Sequence, residues 1–280
     1  MSSKINLGEI QETLFIPLYA RAVESQKKNP LIQDNKAIEI VKQLPYNFKK
    51  FKNKPSLFTN VFRTYLFDQW VKKFIQENQQ GTIIEMGVGL NTRYERLNSL
   101  TNQNFYWLEF DLPDSIELRK MFFEDQPNRK ILVGSVVDRN WIDFILKNPF
   151  PKPYFIMIEA VLIYLDEKNV KTAIQNIGKY FQSTNSFLAF DSGTEDLIQY
   201  QHTHDILKHM NAKLKWALND LNQITVWSSN IVLKETRLLL DLDQNLKKRL
   251  KFFHKNFYRL YNSLFLRWCY SYRLNLYEIR

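Results

Sequence analysis

Residues 81–113 read GTIIEMGVGLNTRYERLNSLTNQNFYWLEFDLP, and this stretch decides the fold. An apolar run, Thr82 to Ile84, enters a turn that carries Glu85, Gly87 and Gly89. A segment of helical character follows, then a second apolar run from Phe105 to Phe110 that ends on Asp111. In an open α/β sheet, a strand, glycine turn, helix and second strand closing on an acid place a ligand at the carboxyl ends of the strands. The glycines let that ligand lie against bare backbone, and the acid accepts hydrogen bonds from ribose hydroxyls.

The local pattern is E-x-G-x-G rather than the full G-x-G-x-x-G, because Leu90, Asn91 and Thr92 follow Gly89. The missing third glycine weighs against a dinucleotide and favours S-adenosylmethionine (SAM), which has no pyrophosphate to cradle. A plain strand-to-helix connection also uses glycines. The acid about twenty residues further on, where the nucleotide-binding pattern requires it, makes a cofactor the better reading.

The chain has 280 residues, enough for one large α/β domain or two small ones, and 45% of them are hydrophobic, so a full core is within reach. A single cysteine, Cys269, allows no intrachain disulfide and fits a cytoplasmic setting. No stretch approaches the roughly eighteen apolar residues of a membrane span, and the polar N-terminus lacks a signal-peptide core. The expectation is a soluble, intracellular protein. The formal net charge of +10 is conspicuous over 247–273, KKRLKFFHKNFYRLYNSLFLRWCYSYR. Aromatic residues interleaved with Lys and Arg suggest nucleic acid or an anionic membrane surface. An amphipathic helix with a solvated basic face is the preferred reading, because no nucleic-acid motif accompanies the charge. Anionic substrates and acidic partner proteins stay open.

Helices are expected at 10–24, 35–44 and 57–76, ahead of the first strand, where they would cap a site at the top of the sheet. Strands then read at 82–86, 105–110, 130–134, 154–159 and 186–191, with helices at 92–100, 113–124, 139–147 and 167–181. This alternation predicts a largely parallel sheet with right-handed crossovers. A helix over 194–217, a short helix near 220–228, an apolar run at 231–240, the basic helix and a closing strand at 273–279 complete the expectation.

Seven segments, in order, resemble one family. They are TLFIPLYARAVESQ (13–26), NPLIQDNKAIEIV (29–41), FRTYLFDQWV (62–71), IIEMGVGLNTRYERL (83–97), WLEFDLP (107–113), GSVVDRNW (134–141) and FIMIEAVLIYL (155–165). The chain is similar to the leucine carboxyl methyltransferase superfamily, and within it to the bacterial, tetracenomycin-type polyketide O-methyltransferase branch. The resemblance fades over 192–280. It implies an α/β class I SAM-dependent methyltransferase fold, a seven-stranded mostly parallel sheet with an antiparallel last strand. It also implies one domain over 1–280, with an N-terminal helical cap or lid at 1–80 and a SAM-binding core with acceptor-binding helical insertions at 81–280. The product would be S-adenosylhomocysteine.

Site roles follow from the resemblance, position by position. Arg63 is the implied clamp for the methionine carboxylate, since a guanidinium holds a carboxylate through two bonds; a surface charge on an amphipathic helix is the other reading. Arg21, from the Tyr19–Arg21 segment, is a second candidate, with a structural ion pair equally open. Gly87 and Gly89 would line the methionine end, and Glu85 would orient the ammonium or the loop itself. Asp111, followed by Leu112, would hold the ribose, and Glu109, on the same strand face, would share the task. Ser135 and Val136 stand where the eukaryotic enzymes have an aspartate-leucine pair at the adenine site. Glu159 would face the cofactor sulfur, and the following Ala160 departs from the usual glycine.

On the acceptor side the candidates are Tyr19, Tyr164 and Asp191, with a core role as open for Tyr164. His202 and His204 are candidate bases, although surface histidines are the plainer reading; two histidines alone make no metal site. The reading is therefore a SAM-dependent O-methyltransferase acting on a carboxylate or hydroxyl of a small polyketide or peptide natural product, with no metal, no nucleic-acid partner and no membrane span. A protein C-terminal carboxyl methyltransferase is one alternative. A basic RNA- or membrane-associated binding protein on a degenerate methyltransferase fold is another. The sequence leaves oligomeric state undetermined.

Overall fold

The computed structural model describes residues 11–210, 212–239 and 263–280. Its centre is a seven-stranded sheet: β1 (Gly81–Met86), β2 (Phe105–Asp111), β3 (Arg129–Val133), β4 (Tyr154–Ile158), β5 (Ser186–Gly193), β6 (Ile231–Leu238) and β7 (Tyr272–Ile279). The strand order is β3-β2-β1-β4-β5-β7-β6. Neighbours are parallel from β3 through β5, and β7 runs antiparallel to both β5 and β6. β1 and β4 are buried at every position, which explains why their sequences are continuous apolar runs rather than alternating ones. The chain builds outward from β1 to β3 and then returns to the other side of β1. A crevice therefore opens at the carboxyl ends of β1 and β4, where an open α/β sheet takes its ligand.

Helices cover the sheet. Of these, α7 (Glu167–Phe181) starts where the Asp166 side chain accepts from Asn169 N and buries Val170, Ala173, Ile174, Ile177 and Phe181 at helical spacing. Ahead of the sheet come α1 (Phe15–Ser25), α2 (Asn35–Gln43) and the 22-residue α3 (Ser56–Glu77). The lower part of α3 packs Phe67, Trp70, Val71 and Phe74 onto Ile83, Trp107 and Phe155. Its upper part is thereby held above the crevice. Phe15, Tyr19, Tyr46, Phe48 and Phe51 form an aromatic cluster that binds α1 to the turn before α3.

The shorter helices are α4 (Arg93–Leu97), α5 (Pro113–Arg119) and α6 (Asn140–Lys147). The expected helix over 194–217 is not one helix. It is α8 (Glu195–Gln199), single turns at Gln201–Thr203 and Leu207–His209, and an extended segment over 212–218. In that segment Ala212, Leu214, Trp216 and Leu218 are buried while Lys213 and Lys215 point out. A two-residue period belongs to extended chain, not helix. The backbone agrees, with Lys215 N donating to Ile163 O and Leu218 N to Gly193 O, both at 2.8 Å. A short α9 (Gln223–Trp227) follows, and the apolar run at 231–240 is edge strand β6, irregular between Leu233 and Glu235. Of the basic stretch 247–273, residues 247–262 lie outside the described residues; Ser263–Ser271 is helix α10, and β7 begins at Tyr272.

One polar group is walled into the core between β2, β3 and α5. Glu109 is fully buried, and accepts from Arg119 Nε at 3.0 Å and Arg129 Nη2 at 2.9 Å. Both arginines are buried too. Glu109→Ala would leave the buried Arg119 without its counter-charge and Arg129 with Glu95 alone. We expect unfolding free energy to fall by about 3–5 kcal/mol, read as a lower denaturant midpoint. A loss below about 1 kcal/mol would mean that the arginines find other partners.

Candidate functional site

The crevice holds a cavity. Its floor is the turn after β1, Gly87 to Asn91, and the loop after β4, Glu159 to Tyr164. Leu14, Ile16, Pro17 and Arg21 roof it from the N-terminal side, and Thr59, Asn60 and Arg63 descend from α3. Its far wall is formed by His204, Leu207, Leu214, Leu239, Trp268 and Tyr272. Gly87 and Gly89 have φ of +69° and +49°. A Cβ at Gly87 would lie 2.2 Å from Val161 Cγ2, and one at Gly89 2.6 Å from Leu14 Cδ2. Conformation and space both demand glycine at these two positions.

Beneath the cavity lies a chain of buried ion pairs. Arg93, fully enclosed, donates to Asp68 at 2.7 Å, Glu85 at 2.5 Å and Glu159 at 2.6 Å. Glu159 also accepts from Arg63 Nε at 2.8 Å. Arg96 joins Asp68 to Asp34, and Asp34 pairs with Arg21 at 2.9 Å. Four guanidiniums thus meet four carboxylates. Burial pushes the Glu159 carboxyl up, but Arg93 and Arg63 outweigh it and bring it down to about 2.

Several of the residues expected from sequence meet at the cavity: Arg21, Arg63, Glu85, Gly87, Gly89, Glu159, Tyr164 and His204. Arg21 spends its donors on Asp34 and on Leu90 O at 2.8 Å. Glu85 holds Arg93 and also accepts from Trp107 Nε1 at 2.8 Å. Arg63 gives Nη1 to the Tyr272 hydroxyl at 3.2 Å, and no described residue engages its Nη2. Asp111 lies beside the glycine turn, accepting from Gly89 N at 2.6 Å and Leu112 N at 2.7 Å. Burial pushes its carboxyl up. Leu112 is 43% exposed. Ser135 follows the end of β3, half-buried, while Val136 turns into the core beside Trp141.

Other expected residues lie elsewhere. Glu109 is two residues further down β2 than Asp111, about 6–7 Å deeper in the sheet, and its oxygens are taken by Arg119 and Arg129. Tyr19 stacks on Phe48 at 5.4 Å in the aromatic cluster rather than at the cavity. His202 is exposed, with Nδ1 3.1 Å from Gln199 O. Asp191 is buried behind the wall, accepting from Ala160 N at 2.6 Å and from the Tyr272 hydroxyl. That bond from Ala160 N holds a non-glycine residue at φ +56°. Burial pushes Asp191 up, and it pushes the Tyr164 hydroxyl up to about 12.

His204 differs from His202. Its Nδ1 accepts from the backbone N–H groups of Ile206 (3.1 Å) and Leu207 (3.0 Å), and its ring centroid is 4.5 Å from that of Trp268. Burial takes its pKa down to about 4 against the opposing pull of Asp205. Sequence reasoning missed Arg93, Arg96, Asp68 and Asp34. The available signal was two arginines three apart in a short helix directly after the glycine turn. It also missed Trp268 and Tyr272, which sit within the stretch read as a basic surface helix. Among the described residues no cluster of His, Cys, Asp or Glu is arranged to hold a metal ion, and no helix is long and apolar enough to cross a membrane.

Comparison with known proteins bears on this geometry. A family model described as leucine carboxyl methyltransferase matches residues 15–178. The chain is 22% identical over 221 residues, 79% of each protein, to the tetracenomycin polyketide synthesis O-methyltransferase TcmP of Streptomyces glaucescens. It is 25% identical over 256 residues, 85% of each, to the S-adenosyl-L-methionine-dependent methyltransferase dpfgK of Gibberella zeae. A solved SAM-dependent methyltransferase from Anabaena variabilis shares the fold with a TM-score of 0.52, at 10% identity over 79% of this chain and 85% of that one. The family match runs from α1 to α7, through the glycine turn and across the switch in strand order, and on that ground the chain belongs to the leucine carboxyl methyltransferase family of SAM-dependent methyltransferases.

Proposed function

We propose that this methyltransferase acts on oxygen, and that its acceptor is a small molecule whose oxygen is already ionised, a carboxylate before a phenol or alcohol. One observation carries the reading: no described side chain lining the cavity has a basic lone pair to spare. Glu85 and Glu159 hold guanidiniums. The Tyr272 hydroxyl donates to Asp191. Tyr164 is a neutral phenol at any ordinary pH, and His204 Nδ1 is taken by two amides. A carboxylate needs no base, whereas an alcohol does. The likeness to an enzyme of polyketide synthesis supports a small natural product as acceptor.

SAM supplies an electrophilic methyl group on a sulfonium, and the residues present fit it. No described residue engages Arg63 Nη2, which would take the methionine carboxylate. The Asp111 carboxylate accepts from Gly89 N and Leu112 N and, with Ser115 as a further donor, would still have a lone pair for a ribose hydroxyl. Leu112 and Ser135 would flank the adenine, and the paired Glu159 would lie below the sulfonium. With the helices of 1–80 as a cap and 81–280 as the core, the chain reads as one methyltransferase domain. The protein's own contribution is then alignment and the exclusion of water.

Asp111→Asn and Arg63→Ala should each weaken SAM and S-adenosylhomocysteine binding by roughly tenfold or more, measured by calorimetry on protein of unchanged circular dichroism. Wild-type affinity in both would remove these assignments. A second expectation concerns pH. With Glu159 at about 2, His204 at about 4 and Tyr164 at about 12, none of these three groups changes charge between about pH 6 and 9. Methylation of an aromatic carboxylate such as naphthoate, followed as S-adenosylhomocysteine release, should therefore show a flat kcat/KM across that range. An ascending limb with a midpoint near 7 would reveal a base and reverse the preference for a carboxylate.

A further inference from the structure

Resting on that reading of the cavity, the geometry points to His204 as a neutral hydrogen-bond donor that positions the acceptor oxygen through Nε2–H, and not as a base. Two backbone N–H groups, from Ile206 and Leu207, converge on Nδ1. A nitrogen that accepts from both cannot carry a proton, so the neutral ring is fixed as the Nε2–H tautomer. The ring lines the cavity, and no described residue engages Nε2. Its plane is held from the side by Trp268.

The charged neighbour is Asp205, with Oδ1 3.3 Å from Nδ1. The other Asp205 oxygen, Oδ2, accepts from Ser56 N at 3.2 Å at the start of α3. The loop that bears His204 is thus fastened to the helix that bears Arg63. Arg63 and His204 both line the cavity; with Arg63 given to the cofactor carboxylate, His204 is left to the acceptor. A protonated Nε2 has no lone pair to accept another proton, so a base role would require both capping bonds to break. A donor role uses the ring as it stands.

The test exploits a difference between two amides. In His204→Asn the side-chain oxygen overlies Nδ1 and can keep the turn capped, but nothing replaces Nε2–H. In His204→Gln the amide N–H reaches the Nε2 position. Protein with 15N-labelled histidine is saturated with S-adenosylhomocysteine, and the His204 signals are assigned by their loss in the Asn variant. The expected wild-type pattern is neutral Nε2–H, unchanged from about pH 8 down to about pH 5.5, with the Nε2–H proton shifting when naphthoate is added. Naphthoate affinity should fall roughly tenfold to a hundredfold in His204→Asn and return in part in His204→Gln.

An Nδ1–H tautomer, a ring that titrates near neutrality, an Nε2–H proton that ignores naphthoate, or wild-type naphthoate affinity in the Asn variant would each overturn the proposal. Any of these can occur while S-adenosylhomocysteine still binds, which leaves the methyltransferase reading intact. Failure of folded wild-type protein to bind S-adenosylhomocysteine would instead remove the reading on which the proposal rests.

Discussion

The site depends on one buried cation. Arg93 has no exposed surface, and a guanidinium in that position persists only when its charge and its donors are met. Three carboxylates meet them, from three separate parts of the fold: Asp68 from α3, Glu85 from β1 and Glu159 from the end of β4. Arg93 itself stands at the first position of the helix after the glycine turn. One side chain therefore fixes a cap helix, the first strand, the glycine turn and the loop after the fourth strand relative to one another. Such a network adds little net stability over an apolar core of the same shape, because every ion in it was taken out of water. Its effect is geometric: Glu159 is placed by Arg93, and Arg63 is placed by Glu159.

The N-terminal cap is attached by the same means and by apolar packing. Arg21 donates to Leu90 O in the glycine turn, and the Thr92 hydroxyl reaches Asp34 between α1 and α2. Leu14 rests against the space above Gly89. Around these contacts the cluster of Phe15, Tyr19, Tyr46, Phe48 and Phe51 supplies the burial that polar bonds alone would not. Cap and turn thus form one unit, with the roof of the cavity in direct contact with its floor.

The sheet was legible because its signal is local. A buried parallel strand is a short apolar run, and five such runs separated by helical periods imply the layout directly. The glycine turn and Asp111 were legible for the same reason. What could not be read was pairing across distance. Glu109 and Asp111 share a strand face, yet one residue at the strand's end reaches the loop while the other is sealed between Arg119 and Arg129. Nothing in the spacing of two acids distinguishes these fates; the arginines lie 10 and 20 residues away. The segment 212–218 differs for another reason. Ala212, Leu214, Trp216 and Leu218 are buried at a period of two, with Lys213 and Lys215 between them. Local alternation thus marks extended chain inside a stretch whose flanks have helical character.

The charge balance of the cavity bears on the chemistry a cationic cofactor would undergo there. When a carboxylate oxygen attacks a sulfonium methyl, both formal charges fade toward the transition state. A site that held the acceptor with a bare cation would stabilise the ground state more than the transition state, and would slow the step. Here both guanidiniums at the cavity have their charge matched, Arg63 by Glu159 and Arg21 by Asp34, and Tyr164 on the floor and His204 on the far wall are neutral donors. Neutral donors orient an oxyanion while giving up less than a cation would as its charge disappears. Four carboxylates set against four guanidiniums balance in charge, and where closure excludes water such a balance favours a reaction in which opposite charges cancel.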